Sequence, residues 1–262
     1  MRLIRKAVLA SIAIQIVLSI SCYAQSQDWR NAKYGQSIYS HGYCDQPYVV
    51  VLENGKWLCV FTTNAGHEGS KGQHIVSCIS EDRGLTWSRP VRIEEPRKES
   101  ASWAIPYQTD FGRVYVFYTY NGDKIHELKG QKNIREDMLG WYCYKYSDDE
   151  GLTWSDRYRI DIPNKPVDLN NDWNGEVQIF WGIGKPIDFD GGMLLSFTKI
   201  GKYMLEYSEG WLLQSKNINQ EKNPKKLEWN LLPESDTGIK NPELGIINSE
   251  HNIFQLNDGT LY

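Results

Sequence analysis

The sequence predicts an all-β chain made of repeated four-stranded antiparallel units, which is the architecture of a β-propeller. Three observations carry this. First, β-rich runs meet at turn dipeptides: 47–52 and 56–61 flank Glu53-Asn54-Gly55, and Asn-Gly between two such runs is a strong hairpin signal. Asp110-Phe111-Gly112, Asp190-Gly191-Gly192 and Asp258-Gly259 precede further runs in the same way. Second, Ser80-Glu-Asp82-Arg-Gly84-Leu-Thr86-Trp87 returns as Ser147-Asp-Asp149-Glu-Gly151-Leu-Thr153-Trp154, 67 residues later, each copy between two strand-like runs. A worn third copy spans Trp211 to Trp229 around a polar insertion. Third, past the first two dozen residues no segment sustains a 3.6-residue apolar stripe, and 123–135 reads as a long polar loop.

The elements follow in order. Arg2, Arg5 and Lys6 precede an apolar run, 7–20, and the small-x-small site Cys22-Tyr23-Ala24. This predicts a secretory signal peptide over 1–24, since the run is short for a membrane span, which needs about 20 residues. Acylation of Cys22, giving a lipid anchor, is the alternative reading. The propeller then occupies 25–262, with units at about 44–97, 100–163 and 176–235 and the start of a fourth at 248. Three to three and a half blades do not close a ring, so the chain is expected to be a fragment of a six- or seven-bladed propeller. Cys44, Cys59, Cys78 and Cys143 form no C-x-x-C pattern; no zinc site or other metal site is expected, and free, mostly buried thiols are. No cofactor is implied.

Composition narrows the function. Aromatic residues make up 13% of the chain, with 10 Trp and 16 Tyr, enough for a substantial core. The formal charge is −4 and becomes −7 once residues 1–24, with three basic and no acidic residues, are removed. That argues against nucleic acid, which needs clustered Lys and Arg.

S-x-D-x-G-x-T-W in two copies resembles the Asp-box (BNR) repeat of the sialidase-like propellers, and the resemblance covers most of 25–262. It implies a glycan partner, and boxes at the blade rim whose Asp82 and Asp149 hold turns rather than do chemistry. It also implies an F-R-I-P arginine at the first blade, but here Cys44-Asp45-Gln46-Pro47 places Asp45 there, against a working sialidase. Asp45-Gln-Pro-Tyr-Val-Val50, 72–77, 99–103 and 112–118 look like the secreted bacterial branch. That branch is similar to the α-L-rhamnosidases and rhamnose–glucuronate lyases, and more distantly to ulvan lyases. In the rhamnosidases a His stands where this chain has Gln46, and the ulvan-lyase pattern of two His about 20 residues apart retains only His67.

The candidate catalytic residues are therefore His67, Gln46, Tyr118 and Tyr120. Imidazole can transfer protons near neutral pH, and a tyrosine can serve as its acid or base partner. Candidate substrate-binding residues are Asp45, His41 and His74 in the polar stretches around the first two strands, Arg113 and Arg135 as carboxylate partners, Glu176 and Trp181, and His251. Trp103, Trp141 and Trp181 offer sugar-stacking faces, but packing between blades is their expected job. The leading expectation is a secreted enzyme that cleaves a glycosidic bond at an acidic or deoxy-sugar terminus, by hydrolysis or by elimination. A non-catalytic glycan-binding propeller, an exo-sialidase and a protein-interaction propeller are the competing readings.

Overall fold

A computed structural model describes residues 31–39, 42–132, 134–204 and 206–262. The expected signal peptide, Cys22 and His41 lie outside the described residues. The chain divides into two units, Met1–Ser37 and Ile38–Tyr262. In the first, Ala32–Tyr34 form a single 3₁₀ turn capped by the Asn31 side chain. Everything below concerns the second, and no helix among the described residues is long and apolar enough to cross a membrane.

The second unit is a succession of antiparallel meanders. β1 (Tyr43–Val51), β2 (Trp57–Asn64), β3 (His74–Ser80) and β4 (Val91–Arg92) form one four-stranded sheet in sequence order. β5 (Ala101–Gln108), β6 (Val114–Tyr120), β9 (Leu139–Ser147) and β10 (Tyr158–Arg159) form the next, with β7 (Glu127–Leu128) and β8 (Gln131–Lys132) as a small ribbon in the long loop between β6 and β9. The third is built on β13 (Gly192–Lys202) and β14 (Glu206–Ser215), edged by β12 (Ile187–Phe189) and β15 (Asn230–Leu232). The second and third are not separate sheets: β11 (Gln178–Trp181) pairs with β9 through its first two residues and with β13 through its last two. A short ribbon, β16 (Lys240–Asn241) with β17 (Gly245–Ile246), and a hairpin around Asp258-Gly259 complete the chain.

Period-two alternation explains how the sheets stack. In β6, Val114, Val116 and Tyr118 face Leu58, Val60 and Ile75 of the first sheet. Tyr115 and Phe117 face Met193, Leu195 and Phe197 of the third. Both faces are covered, so every residue of β6 is buried. Each such apolar side chain contributes about 1.5–3 kcal/mol.

The two octapeptide turns are held by one pattern of hydrogen bonds. In the second, Ser147 Oγ donates to Asp149 Oδ1 at 2.7 Å and accepts from Gly151 N at 2.8 Å; Asp149 accepts from Thr153 N and Oγ1 at 2.8 and 2.6 Å. The first repeats these contacts through Ser80, Asp82, Gly84 and Thr86. The worn third copy keeps the device with an amide: Asn217 Oδ1 accepts from Ser215 Oγ at 3.2 Å and, across the insertion, from Glu228 N at 3.0 Å.

A buried ion pair anchors the short helix α1 (Pro166–Leu169): Asp168 and Lys199, both sealed, meet at 2.8 Å. Cys59, Cys78 and Cys143 are buried free thiols and Cys44 is exposed.

Candidate functional site

The meanders put two kinds of connection at opposite ends of the strands. Tight hairpins and the octapeptide turns lie at one end. At the other lie the starts of β1, β5 and β11, the long loops β2–β3 and β6–β9, and the short turn that joins β13 to β14. Charged residues collect at this loop end, Asp45, Glu68, Arg135 and Asp137 among them.

Two β-bulges shape it. Register shifts between Asp45 and Tyr48 in β1, and between Ser102 and Ile105 in β5, at equivalent places in successive sheets. Each bulge holds a non-glycine residue at positive φ, Gln46 at 50° and Trp103 at 64°. Bulges re-aim side chains, and strained backbone of this kind persists where the surroundings impose it. Trp103 is turned against Trp181 from β11, ring centroids 4.2 Å apart, and both rings are buried.

Arg135, from the β6–β9 loop, lies over this pair, its Cζ 5.8 and 5.3 Å from the Trp103 and Trp181 centroids. Its guanidinium grips Asp137 in bidentate fashion, Nε–Oδ1 3.1 Å and Nη2–Oδ2 2.5 Å, and meets Glu68 Oε1 of the β2–β3 loop at 2.8 Å. Its backbone N–H donates to Tyr203 Oη at 2.6 Å. Gly69, at φ +74°, makes room: a Cβ there would sit 2.5 Å from Arg135 Nε. Burial opposes the charge on Arg135, but Asp137 and Glu68 outweigh it and hold the proton more firmly than usual. Burial also raises the Asp137 carboxyl above its ordinary range, with Arg135 pulling it back.

Further carboxylates surround two tyrosines. The Tyr43 hydroxyl bonds Asp45; burial, that bond and the charges of Asp45, Glu68 and Asp137 push its ionisation well up. Tyr48 ionisation is raised by burial and by Asp45 and Glu250. Tyr48 donates to the Ile183 carbonyl, and Trp181 Nε1 donates to Glu250 Oε1 at 3.3 Å. The accessible layer of the cluster is Tyr43, Asp45, Glu68, Arg135 and Tyr203, over a floor of Trp103 and Trp181. No group of three or more His, Cys, Asp or Glu among the described residues is arranged to hold a metal ion.

The residues expected from sequence scatter. Asp45, Arg135 and Trp181 lie in this cluster. His67 is exposed on the same loop as Glu68, its Nδ1 2.8 Å from the Glu68 carbonyl. Gln46 is half-buried in its bulge with Oε1 sealed and unpartnered.

Several of the expected residues lie elsewhere. Tyr118 faces the first sheet, fully buried, and donates to Glu94 at 2.5 Å, while Arg157 holds both oxygens of Glu94 at 2.7 and 2.8 Å. Tyr120 lies on that same Arg157, 3.4 Å from its Cζ. The alternation of β6 dictates this, because 118 and 120 share the face that packs on β2. Arg113 heads β6 at the hairpin end and pairs with Asp148 at 2.7 and 3.0 Å, the length of the strand from the cluster. His74 shares the opposite face of β3 with Val76 and Cys78, bonded to the Gly72 carbonyl at 3.2 Å. Glu176 is exposed in the turn before β11. His251 packs on β13 and β14, near the Trp211 carbonyl at 3.3 Å, and its neighbour Glu250 is the residue that reaches Trp181.

Trp103, offered by the sequence as a stacking face, joins Asp45, Arg135 and Trp181 in the cluster, and Tyr43, Glu68, Asp137 and Tyr203 complete it. Two signals for them stood in the sequence. Tyr43 and Asp45 are two apart on a strand and so share a face. Arg135-Glu136-Asp137 is a charge triplet at the end of the polar loop. Nothing local marks Tyr203.

No family model and no curated protein matches the chain. Solved structures do. A leech intramolecular trans-sialidase superposes with a TM-score of 0.59 at 14% identity, over 87% of this chain and 49% of that one. A Dyadobacter fermentans protein of unknown function gives 0.58 at 18%, over 87% and 62%. The intramolecular trans-sialidase from Ruminococcus gnavus gives 0.57 at 13%, over 86% and 67%. A Hadza microbial sialidase, Hz136, gives 0.53 at 16%, over 73% and 37%. The likeness shows the sialidase-like fold, and the chain spans about a third to two thirds of the length of these structures.

Proposed function

We propose that the loop-end cluster is the active site of a secreted enzyme that hydrolyses a glycosidic bond at a neutral or deoxy-sugar end of a glycan. The sheets are then blades of a sialidase-like propeller, and residues 1–24 export the protein. The observation that carries this reading is the charge balance around Arg135. One guanidinium is shared by Asp137 and Glu68, with Asp45 and Glu250 close by. An anionic site suits the oxocarbenium-like transition state of glycoside hydrolysis. It repels a sugar carboxylate, and the one arginine that elimination from a uronate would need is already paired. Asp45 and Glu68 are the accessible carboxylates for the acid and base roles, and His67 stands beside them.

One observation favours a second reading, exo-sialidase: Tyr43 is bonded to Asp45, and the sialidases that the octapeptide repeats resemble use a tyrosine paired with a glutamate as nucleophile, together with three arginines that hold the substrate carboxylate. A single paired arginine speaks against it.

The test is product analysis with the full-length protein on a rhamnose-capped glucuronate oligosaccharide, a neutral deoxy-sugar aryl glycoside and a sialoside. The expected result is reducing sugar without an ultraviolet-absorbing unsaturated uronate. Glu68→Gln and His67→Ala should each lower turnover, with at least about a hundredfold loss for a group that moves protons. Release of sialic acid, or of unsaturated uronate, would overturn the assignment. Glycan binding without turnover would make the protein a lectin-like propeller.

A further inference from the structure

We propose that His126, oriented by Glu136, is a second proton-transferring group of the loop-end site. The inference rests on the reading of that site given above.

His126 lies in the β6–β9 loop that also delivers Arg135. Its Nδ1 is 2.8 Å from Glu136 Oε1, and the Glu136 side chain has no exposed surface. With the Glu136 carboxylate as acceptor, Nδ1–H is the donor of this bond and Nε2 is the nitrogen left open. The ring's hydrogen bond among the described residues is the one through Nδ1, and the imidazole is 21% exposed. The ring is thus fixed at one nitrogen and open at the other, the arrangement a general base requires.

Glu136 does not need the imidazole for its own burial. Asn121 Nδ2 donates to its Oε2 at 3.1 Å, and Lys71 Nζ lies 3.6 Å from its Oε1. Asn121 is itself fixed by the Ile125 carbonyl and N–H, at 2.8 and 3.0 Å. What His126 gains from the pair is one orientation and one tautomer.

The dyad is tied to the cluster through two loops. Lys71 comes from the β2–β3 loop that carries His67 and Glu68, and Glu136 stands between Arg135 and Asp137. Glu68–Arg135 and Lys71–Glu136 therefore join the same two loops twice. Among the described residues, Glu136 is the charged group bonded to His126, and Lys71 in turn pairs with Glu136.

In hydrolysis, water adds to the anomeric carbon as the bond to the departing oxygen breaks. Nε2 of His126 takes the proton that water loses, and the carboxyl of Asp45, which no arginine or lysine among the described residues holds, gives one to the departing oxygen. Solvent returns the imidazolium proton to Asp45, so charge and atoms balance over the cycle.

The experiment joins a spectroscopic and a kinetic arm. Imidazole ¹⁵N NMR of the full-length protein, assigned with His126→Gln, should show His126 as the Nδ1–H tautomer. Glu136→Gln should convert it to a mixture. On whichever glycan the wild type cleaves, His126→Gln should lower kcat at least about a hundredfold, with KM and melting temperature little changed. Glu136→Gln should lower kcat less and move the acidic limb of the pH–rate profile. An Nε2–H tautomer, or a His126→Gln enzyme within twofold of wild type, overturns this proposal alone. A wild type that cleaves none of the glycans removes the active-site reading and this proposal with it.

Discussion

Gly69→Ala should expel Arg135 from its seat. A Cβ at 69 would lie 2.5 Å from Arg135 Nε, 2.7 Å from Cδ and 3.1 Å from Cγ, the middle of the side chain rather than its mobile tip. The guanidinium must then leave Asp137, whose side chain is fully sealed. Two costs add: about 1–2 kcal/mol for a Cβ at positive φ, and the loss of the partner of a buried charge, about 3–5 kcal/mol for a fully buried pair and less here, where the Arg135 side chain is 23% exposed. Gly55 separates them. It also has positive φ, +83°, but nothing lies within 4 Å of its added Cβ, so Gly55→Ala reports the backbone cost alone.

The assay is urea unfolding of the two variants and of Gly69→Ala in an Arg135→Ala background. We expect Gly69→Ala to cost about 1–3 kcal/mol more than Gly55→Ala, the excess vanishing once Arg135 is gone. The pH dependence has a definite sign. The Asp137 carboxyl is already raised by burial, and loss of Arg135 raises it further. A group raised in the folded state favours folding below its unfolded pKa and loses that contribution as pH rises. The excess cost should therefore be larger at pH 7 than near pH 4. Equal costs for the two glycine variants, or an excess that persists without Arg135, would refute the reasoning.

Two further outcomes are expected. Asp149→Ala should lower stability by about 0.5–2 kcal/mol, the loss of a side-chain cap, and leave activity per folded molecule nearly unchanged; a hundredfold loss of activity in a folded variant would place the turn in the site. Burial lowers the His251 pKa, so its contribution to stability is present above the unfolded value of about 6.5 and is lost as pH falls below it; denaturant midpoints of wild type and His251→Gln between pH 5 and 8 check this, and equal pH slopes would contradict it.

The sequence alone determined what depends on neighbours in the chain. Hairpins at Asn54-Gly55 and Asp190-Gly191, the octapeptide turns and the period-two strands are set by backbone sterics and by side chains reaching two to four residues. The same alternation could have placed Tyr43 beside Asp45, and it could have put Tyr118 and Tyr120 in the core. What it could not give was which face of each strand looks toward another sheet, and on that turned the removal of Tyr118 and His74 from the cluster, while Arg113 stands at the far end of its strand. The site itself is non-local. Arg135 is held by Glu68 from one meander and Tyr203 from another, and Trp103 meets Trp181 across 78 positions. Only the stacking of sheets, driven by apolar faces that carry no information about the loops above them, brings these groups together.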